Sequence, residues 1–145
     1  MPDRSGSFVT TNEKVGTIQM WNVAKNEPTG ACKFGNKGTC SMILLNDKNL
    51  SKCRVLIASK NGAVLVYNVK RQVIEFSTEQ GHFETIFEVQ YCQSNRDLLA
   101  SCSYDGTVRI WNSNNMKLVN VNDTNFNSAQ AQSEKKIIYS ISWNN

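Results

Sequence analysis

Three stretches of this chain share one pattern: a glycine opens a short β-branched or apolar run that closes on an aromatic residue followed by asparagine. They are residues 16–22 (GTIQMWN), 62–68 (GAVLVYN) and 106–112 (GTVRIWN). The closing aromatics Trp21, Tyr67 and Trp111 stand 46 and then 44 residues apart. A period near 45 suits a four-stranded antiparallel sheet repeated in series and exceeds the roughly 33 to 40 residues of helical solenoids. The repeat therefore overrides the ordinary reading of 145 residues as one domain with a core of its own.

Each unit extends in both directions. Residues 8–11, 55–59 and 98–101 are apolar runs of strand length, joined by a tight glycine-containing turn to the strand that follows, so each is half of a hairpin. In the second strands Ile18 and Met20, Val64 and Val66, and Val108 and Ile110 form an apolar row on one face, while Trp21, Tyr67 and Trp111 occupy the other. Sheets apolar on both faces are those stacked between neighbours.

A further strand recurs. Residues 85–91 (TIFEVQY) match 137–143 (IIYSISW) position for position, which places Phe87 and Tyr139, Val89 and Ile141, and Tyr91 and Trp143 on one face. Residues 39–44 are its weaker equivalent, and outer strands are expected at 32–34, 72–76 and 116–121. No helix has a periodic case. The organisation expected is the end of one blade (1–35), two complete blades (36–80 and 81–121), then a loop and the first strand of another (122–145). About three units fall short of the roughly four to eight of a closed propeller, so the chain should form an arc that is part of a larger ring.

The net charge of +4 is mildly basic, but lysine and arginine are spread along the chain with no run that could track a phosphate backbone. A nucleic-acid-binding module using a mildly basic face is thus the alternative function, not the leading one. The five cysteines (32, 40, 53, 92 and 102) form no C-x-x-C pair, which favours reduced thiols over disulfides or a zinc site. Residues 1–10 have no apolar segment behind Arg4, and no apolar run approaches a membrane span. A soluble cytoplasmic protein with no membrane association, no metal and no cofactor is expected.

From Gly81-His82 through the apolar strand, Leu98-Leu99-Ala100-Ser101, the turn Asp105-Gly106 and the closing Trp111-Asn112, the chain resembles a complete WD repeat. Asn112 stands where the namesake aspartate would. The weaker copies extend the resemblance to the WD-repeat β-propeller family over essentially the whole chain, implying an all-β partial propeller. The family's hydrogen-bonded tetrad of His, Ser or Thr, Asp and Trp falls on His82, Ser101, Asp105 and Trp111. The chemistry is consistent: indole N–H only donates, a hydroxyl does both, an imidazole relays and a carboxylate accepts. The other copies depart, with Val15 and Asn61 at the aspartate position and Gly35 or its neighbours at the histidine position.

His82, Ser101 and Asp105 are also the residue types of a hydrolase triad, but no oxyanion-hole loop accompanies them, and a hydroxyl held by an indole is occupied. No catalytic residue is assigned. The resemblance implies a non-catalytic scaffold that binds other proteins. Carried over by position, the candidate binding face comprises Lys14, Lys60, Thr85, Phe87, Tyr104 and Tyr139, a composition suited to an acidic or aromatic-containing peptide. An open arc also exposes sheet edges, so self-association is expected.

Overall fold

The computed structural model describes residues 6–12, 14, 16–33, 38–45, 54–78, 81–124 and 136–144. Among them there are eleven strands and no helix. β1 (Ser7–Asn12), β2 (Thr17–Asn22) and β3 (Pro28–Lys33) form a three-stranded sheet. β4 (Thr39–Leu45), β5 (Arg54–Ser59), β6 (Val64–Asn68) and β7 (Val73–Thr78) form the second. β8 (Ile86–Tyr91), β9 (Leu98–Ser103), β10 (Thr107–Asn112) and β11 (Leu118–Asp123) form the third. Each is an antiparallel meander in chain order, so the fold is all-β and built from separate stacked sheets.

The alternation in sequence sets how the sheets stack. Ile18 of the first sheet meets Val55, Ile57, Leu65 and Tyr67 of the second. The other face of the second, with Leu56, Ala58, Val64 and Val66, meets Ile86, Val89, Tyr91, Leu99, Trp111 and Met116 of the third. One core lies in each gap. Both faces of the middle sheet are thereby covered, and all of β6 is buried.

Irregularities repeat with the sheets. The pairing slips at Met20/Trp21, Val66/Tyr67 and Ile110/Trp111, directly before each closing aromatic. A second slip recurs at Thr39/Ser41 and Ile86/Glu88 in the first strands of the second and third sheets. A bulge of this kind inserts an extra residue and re-aims the side chains. Its effect corrects the strict alternation expected for β8: Ile86, Val89 and Tyr91 share the core, and Phe87 is displaced from it.

The outer strands also start elsewhere than expected. Met116 and Gln72 hold left-handed backbone, φ 57° and 56°, in equivalent turns. A residue in that region cannot continue a ladder, so β11 begins at Leu118 and β7 at Val73. β3 starts earlier, at Pro28, and Phe34 lies outside the described residues. Residues 136–144 form no strand, and none of the strands among the described residues forms a ladder with them. They lie over the third sheet, where Ile138 N–H donates to Ser103 O (3.3 Å) and Ile141 N–H to Glu88 Oε2 (3.1 Å).

Candidate functional site

The third sheet gathers the four residues that the WD-repeat resemblance singled out. Trp111 Nε1–H donates to Ser101 Oγ (2.8 Å), and that hydroxyl lies 2.8 Å from His82 Nε2. His82 Nδ1 is 3.0 Å from Asp105 Oδ2. One arrangement of hydrogens satisfies the chain. With its oxygen accepting from the indole, Ser101 donates to Nε2, and Nδ1–H donates to the carboxylate.

Strand alternation explains the convergence. Ser101 pairs with Arg109, two residues before Trp111, so hydroxyl and indole share a face. Asp105 occupies the β9–β10 turn, whose Gly106 has φ 82°, a conformation glycine adopts without steric cost. His82 arrives from the loop leading into the sheet, and it is held there by the preceding sheet: His82 N–H donates to Gly62 O (2.9 Å). A Cβ on Gly62 would sit 2.0 Å from His82 O, and one on Gly81 2.1 Å from Gly62 O. Only two glycines permit this contact.

Burial drives the imidazole's pKa down to about 4, a shift that Asp105 opposes and Arg109 reinforces. His82 is therefore neutral at pH 7, and its contact with Asp105 is a hydrogen bond to a carboxylate, not an ion pair. Burial alone would raise the Asp105 pKa, but hydrogen bonds from the Thr107 hydroxyl, Phe83 N–H and Thr107 N–H, together with His82, outweigh it and hold it low. The carboxylate stays ionised.

Thr107 is a member that sequence reasoning missed. Its Oγ1 lies 2.7 Å from Asp105 Oδ1 and 3.0 Å from His82 Nδ1. The signal was present, since Asp-x-Thr places a hydroxyl and an N–H where a carboxylate turns back on its own backbone. Phe83 was missed too. It stands 83% exposed, its N–H on Asp105 Oδ2 (3.0 Å) and its ring 5.5 Å from the Arg109 guanidinium carbon.

The other sheets carry less of this network. Trp21 Nε1–H donates to Thr10 Oγ1 (2.8 Å), and Thr10 pairs with Gln19 as Ser101 pairs with Arg109. In the second sheet Ile57 stands at the serine position and Tyr67 at the tryptophan position. Asn61 caps its own turn, its Oδ1 accepting from Ser59 Oγ and from Ala63 N–H. Val15 and Gly35 lie outside the described residues.

Of the candidate binding face, the bulge at Phe87 assembles most members. Phe87 packs on Tyr139 (centroids 4.9 Å apart) and edge-on to Tyr104 (6.3 Å). Thr85 O accepts from Tyr104 N–H (2.9 Å), and Thr85 Oγ1 donates to Lys60 O (2.9 Å). Tyr104 and Tyr139 are 40% and 64% exposed. Lys14, in the β1–β2 turn with its N–H on Asn12 Oδ1, is not joined to this cluster.

Among the described residues no three His, Cys, Asp or Glu side chains converge as metal ligands, and no helix is long and apolar enough to cross a membrane. Cys32, Cys92 and Cys102 are free thiols.

Comparison with known proteins agrees with this geometry. Residues 74–112 match the family model described as WD domain, G-beta repeat. That unit runs from β7 through β10, so each sequence repeat bridges two sheets. The Glutamate-rich WD repeat-containing protein 1 of Dictyostelium discoideum is 32% identical over 75% of this chain and 25% of its own length. The Denticleless protein homolog of Danio rerio is 25% identical over 77% of this chain and 17% of its own. The Protein transport protein SEC31 of Chaetomium globosum is 23% identical over 73% and 8%. The chain thus spans a quarter or less of these curated relatives.

A chain in the crystal structure of the Chaetomium thermophilum polycomb repressive complex 2 superposes on 83% of this chain, which covers 27% of it, with a TM-score of 0.68 at 22% identity. The fold is that of stacked propeller blades. Residues 74–112 carry a WD40 repeat, and the chain is similar to a WD repeat-containing protein over three quarters of its length.

Proposed function

We propose that this chain is a non-catalytic protein-interaction scaffold, a segment of a WD-repeat propeller with residues 36–80 and 81–121 as its two complete blades. One observation carries the reading. The polar groups that could do chemistry are consumed within the fold, while an aromatic cluster is left at the surface. His82 is 2% exposed with both ring nitrogens engaged, whereas Tyr104 and Tyr139 present their rings to solvent around Phe87. Half-exposed aromatics clustered at a surface are the composition of an interface core.

We further propose, on the sequence of residues 5–10, 15–23, 81–87 and 138–143, that the chain is part of, or a short relative of, a large multi-propeller protein resembling WD repeat-containing protein 17. Membership of such a longer protein, a cytoplasmic location and self-association through open sheet edges belong to the same proposal. The partner bound at the cluster is a protein bearing an acidic or aromatic segment. Affinity capture from extract with the chain and with its Lys14→Glu, Lys60→Glu, Tyr104→Ala variant tests the face. Loss of co-purifying proteins is expected, and undiminished recovery would remove the assignment.

A further inference from the structure

The gap between the first and second sheets holds a polar donor with nothing to donate to. Tyr67, on the central strand β6, is 0% exposed, and its Oη has no hydrogen-bond partner among the described residues. The closing aromatics of the other sheets are served within their own hairpins, Trp21 by Thr10 and Trp111 by Ser101. Ile57 stands at that position in the second sheet and offers no acceptor. The phenol lies instead in the gap lined by Ile18, Val55, Ile57 and Leu65. A hydroxyl in such surroundings loses its bonds to water and gains none in return.

What it meets there is the thiol of Cys32. Cys32 pairs with Ile18, so both point into the same gap, and it packs on the cluster that contains Tyr67. Burial first, then the thiol beside it, raises the phenol's pKa to about 12. Sulfur is a weak acceptor, and the S–H is turned to Lys33 O, 3.5 Å from Sγ. The register sets this position apart. Val64 pairs with Thr78 and Val108 with Asn122 as Ile18 pairs with Cys32. The second and third sheets bring a side-chain oxygen to this row, and the first brings sulfur.

Access distinguishes Cys32 from the other described thiols. Cys92 and Cys102 are buried, and burial lifts the Cys102 pKa to about 11. Cys32 is half-buried on an outer strand, between exposed Ala31 and Lys33. A small oxidant can reach its sulfur from solvent while the phenol behind it stays dry.

We infer that Cys32 is a site of reversible oxidation by hydrogen peroxide, and that Tyr67 is the positioning residue that holds the product. The sulfur attacks one peroxide oxygen, and an S–O bond forms as the O–O bond breaks. Sulfur gives up two electrons, the second oxygen leaves as hydroxide, and the proton lost by the thiol converts it to water. The product is a sulfenic acid, the first and reversible step of cysteine oxidation. Its oxygen accepts from Tyr67 Oη, and its own O–H takes over the bond to Lys33 O. Oxidation thereby ties an outer strand of one sheet to the central strand of the next.

Peroxide treatment of the full 145-residue chain, trapping with dimedone and digestion with trypsin test this, because residues 26–33 form a tryptic peptide with Cys32 as its one cysteine. Cys32 should carry the dimedone adduct ahead of Cys92 and Cys102. Once peroxide is removed, the trappable sulfenic acid at Cys32 should decay about fivefold faster in Tyr67→Phe, the worth of one hydrogen bond. Reduced Cys32 should meanwhile react with iodoacetamide at the same rate in both chains, since the variant keeps the ring and loses only the hydroxyl. No adduct at Cys32, or equal decay in the two chains, would overturn the inference. Faster decay matched by equally faster alkylation would overturn it too, because a change of access alone would account for both.

Discussion

The second and third sheets have the same strands, the same register and the same bulges, yet they hold their central hairpins together by different means. The third uses a buried polar relay through Ser101, His82, Asp105 and Thr107. The second places Ile57, Leu65 and Tyr67 at the positions of Ser101, Arg109 and Trp111 and buries all three. Shape and strand pairing therefore do not require the relay. What it adds is directional: each bond accepts one donor geometry, and losing one member strands the rest in a dry site, where an unpaired group costs about 1 to 3 kcal/mol. Apolar packing has no such penalty, and it fixes position less tightly.

The largest effect is expected where the two sheets meet. Gly62→Ala sets a side chain at φ 80° and drives its Cβ to 2.0 Å from His82 O. Backbone lies on both sides of that contact. A loss on the order of 3 kcal/mol in unfolding free energy is expected, and a chain as stable as the wild type in denaturant titration would mean that the sheets do not touch there.

The relay alone should respond to acid. The folded pKa of His82, about 4, lies below its ordinary 6.5. The unfolded chain therefore binds the proton first as pH falls. The stabilisation is complete above pH 6.5 and is lost progressively as pH drops toward 4, roughly 3 kcal/mol in all. The depressed Asp105 pKa has the same sign at lower pH. Urea titrations from pH 7 to pH 4 check this, and the slope should be absent in His82→Ala.

Single deletions sharpen the contrast further. Asp105→Ala or His82→Ala should cost about 1 to 3 kcal/mol, whereas Asn61→Ala, at the equivalent exposed turn of the second sheet, should cost less than about 1. Equal thermal unfolding of the two alanine variants at positions 105 and 61 would erase the distinction.

The smallest effect concerns the aromatics themselves. Tyr67 Oη is buried with no hydrogen-bond partner among the described residues, and burial, then the Cys32 thiol, push its pKa up to about 12. Tyr67→Phe should therefore be neutral or stabilising by up to about 1 kcal/mol. Trp111→Phe, by contrast, should lose the donor to Ser101 and destabilise.

The strands and the tetrad were legible because each rests on a short-range rule. Alternation fixed the faces of β2, β6 and β10, the turn glycines fixed the hairpins, and the residue types at 82, 101, 105 and 111 have complementary hydrogen-bonding capacity. What escaped depends on the chain in three dimensions. The bulge that frees Phe87 from the core has no residue signature, since β8 alternates acceptably on paper. Gln72 and Met116 take a left-handed backbone that a sequence reader expects of glycine or asparagine. Residues 137–143 copy β8 closely, but a strand exists only against a partner, and none of the described segments supplies one.

Because His82 is the chain's one histidine, its imidazole can be observed alone. Long-range proton–nitrogen correlation spectra across a pH titration report both its tautomer and its charge. The relay predicts a proton on Nδ1, a bare Nε2 accepting from Ser101, and a neutral ring down to about pH 4. A ring that protonates near 6.5, or carries its neutral proton on Nε2, would contradict it.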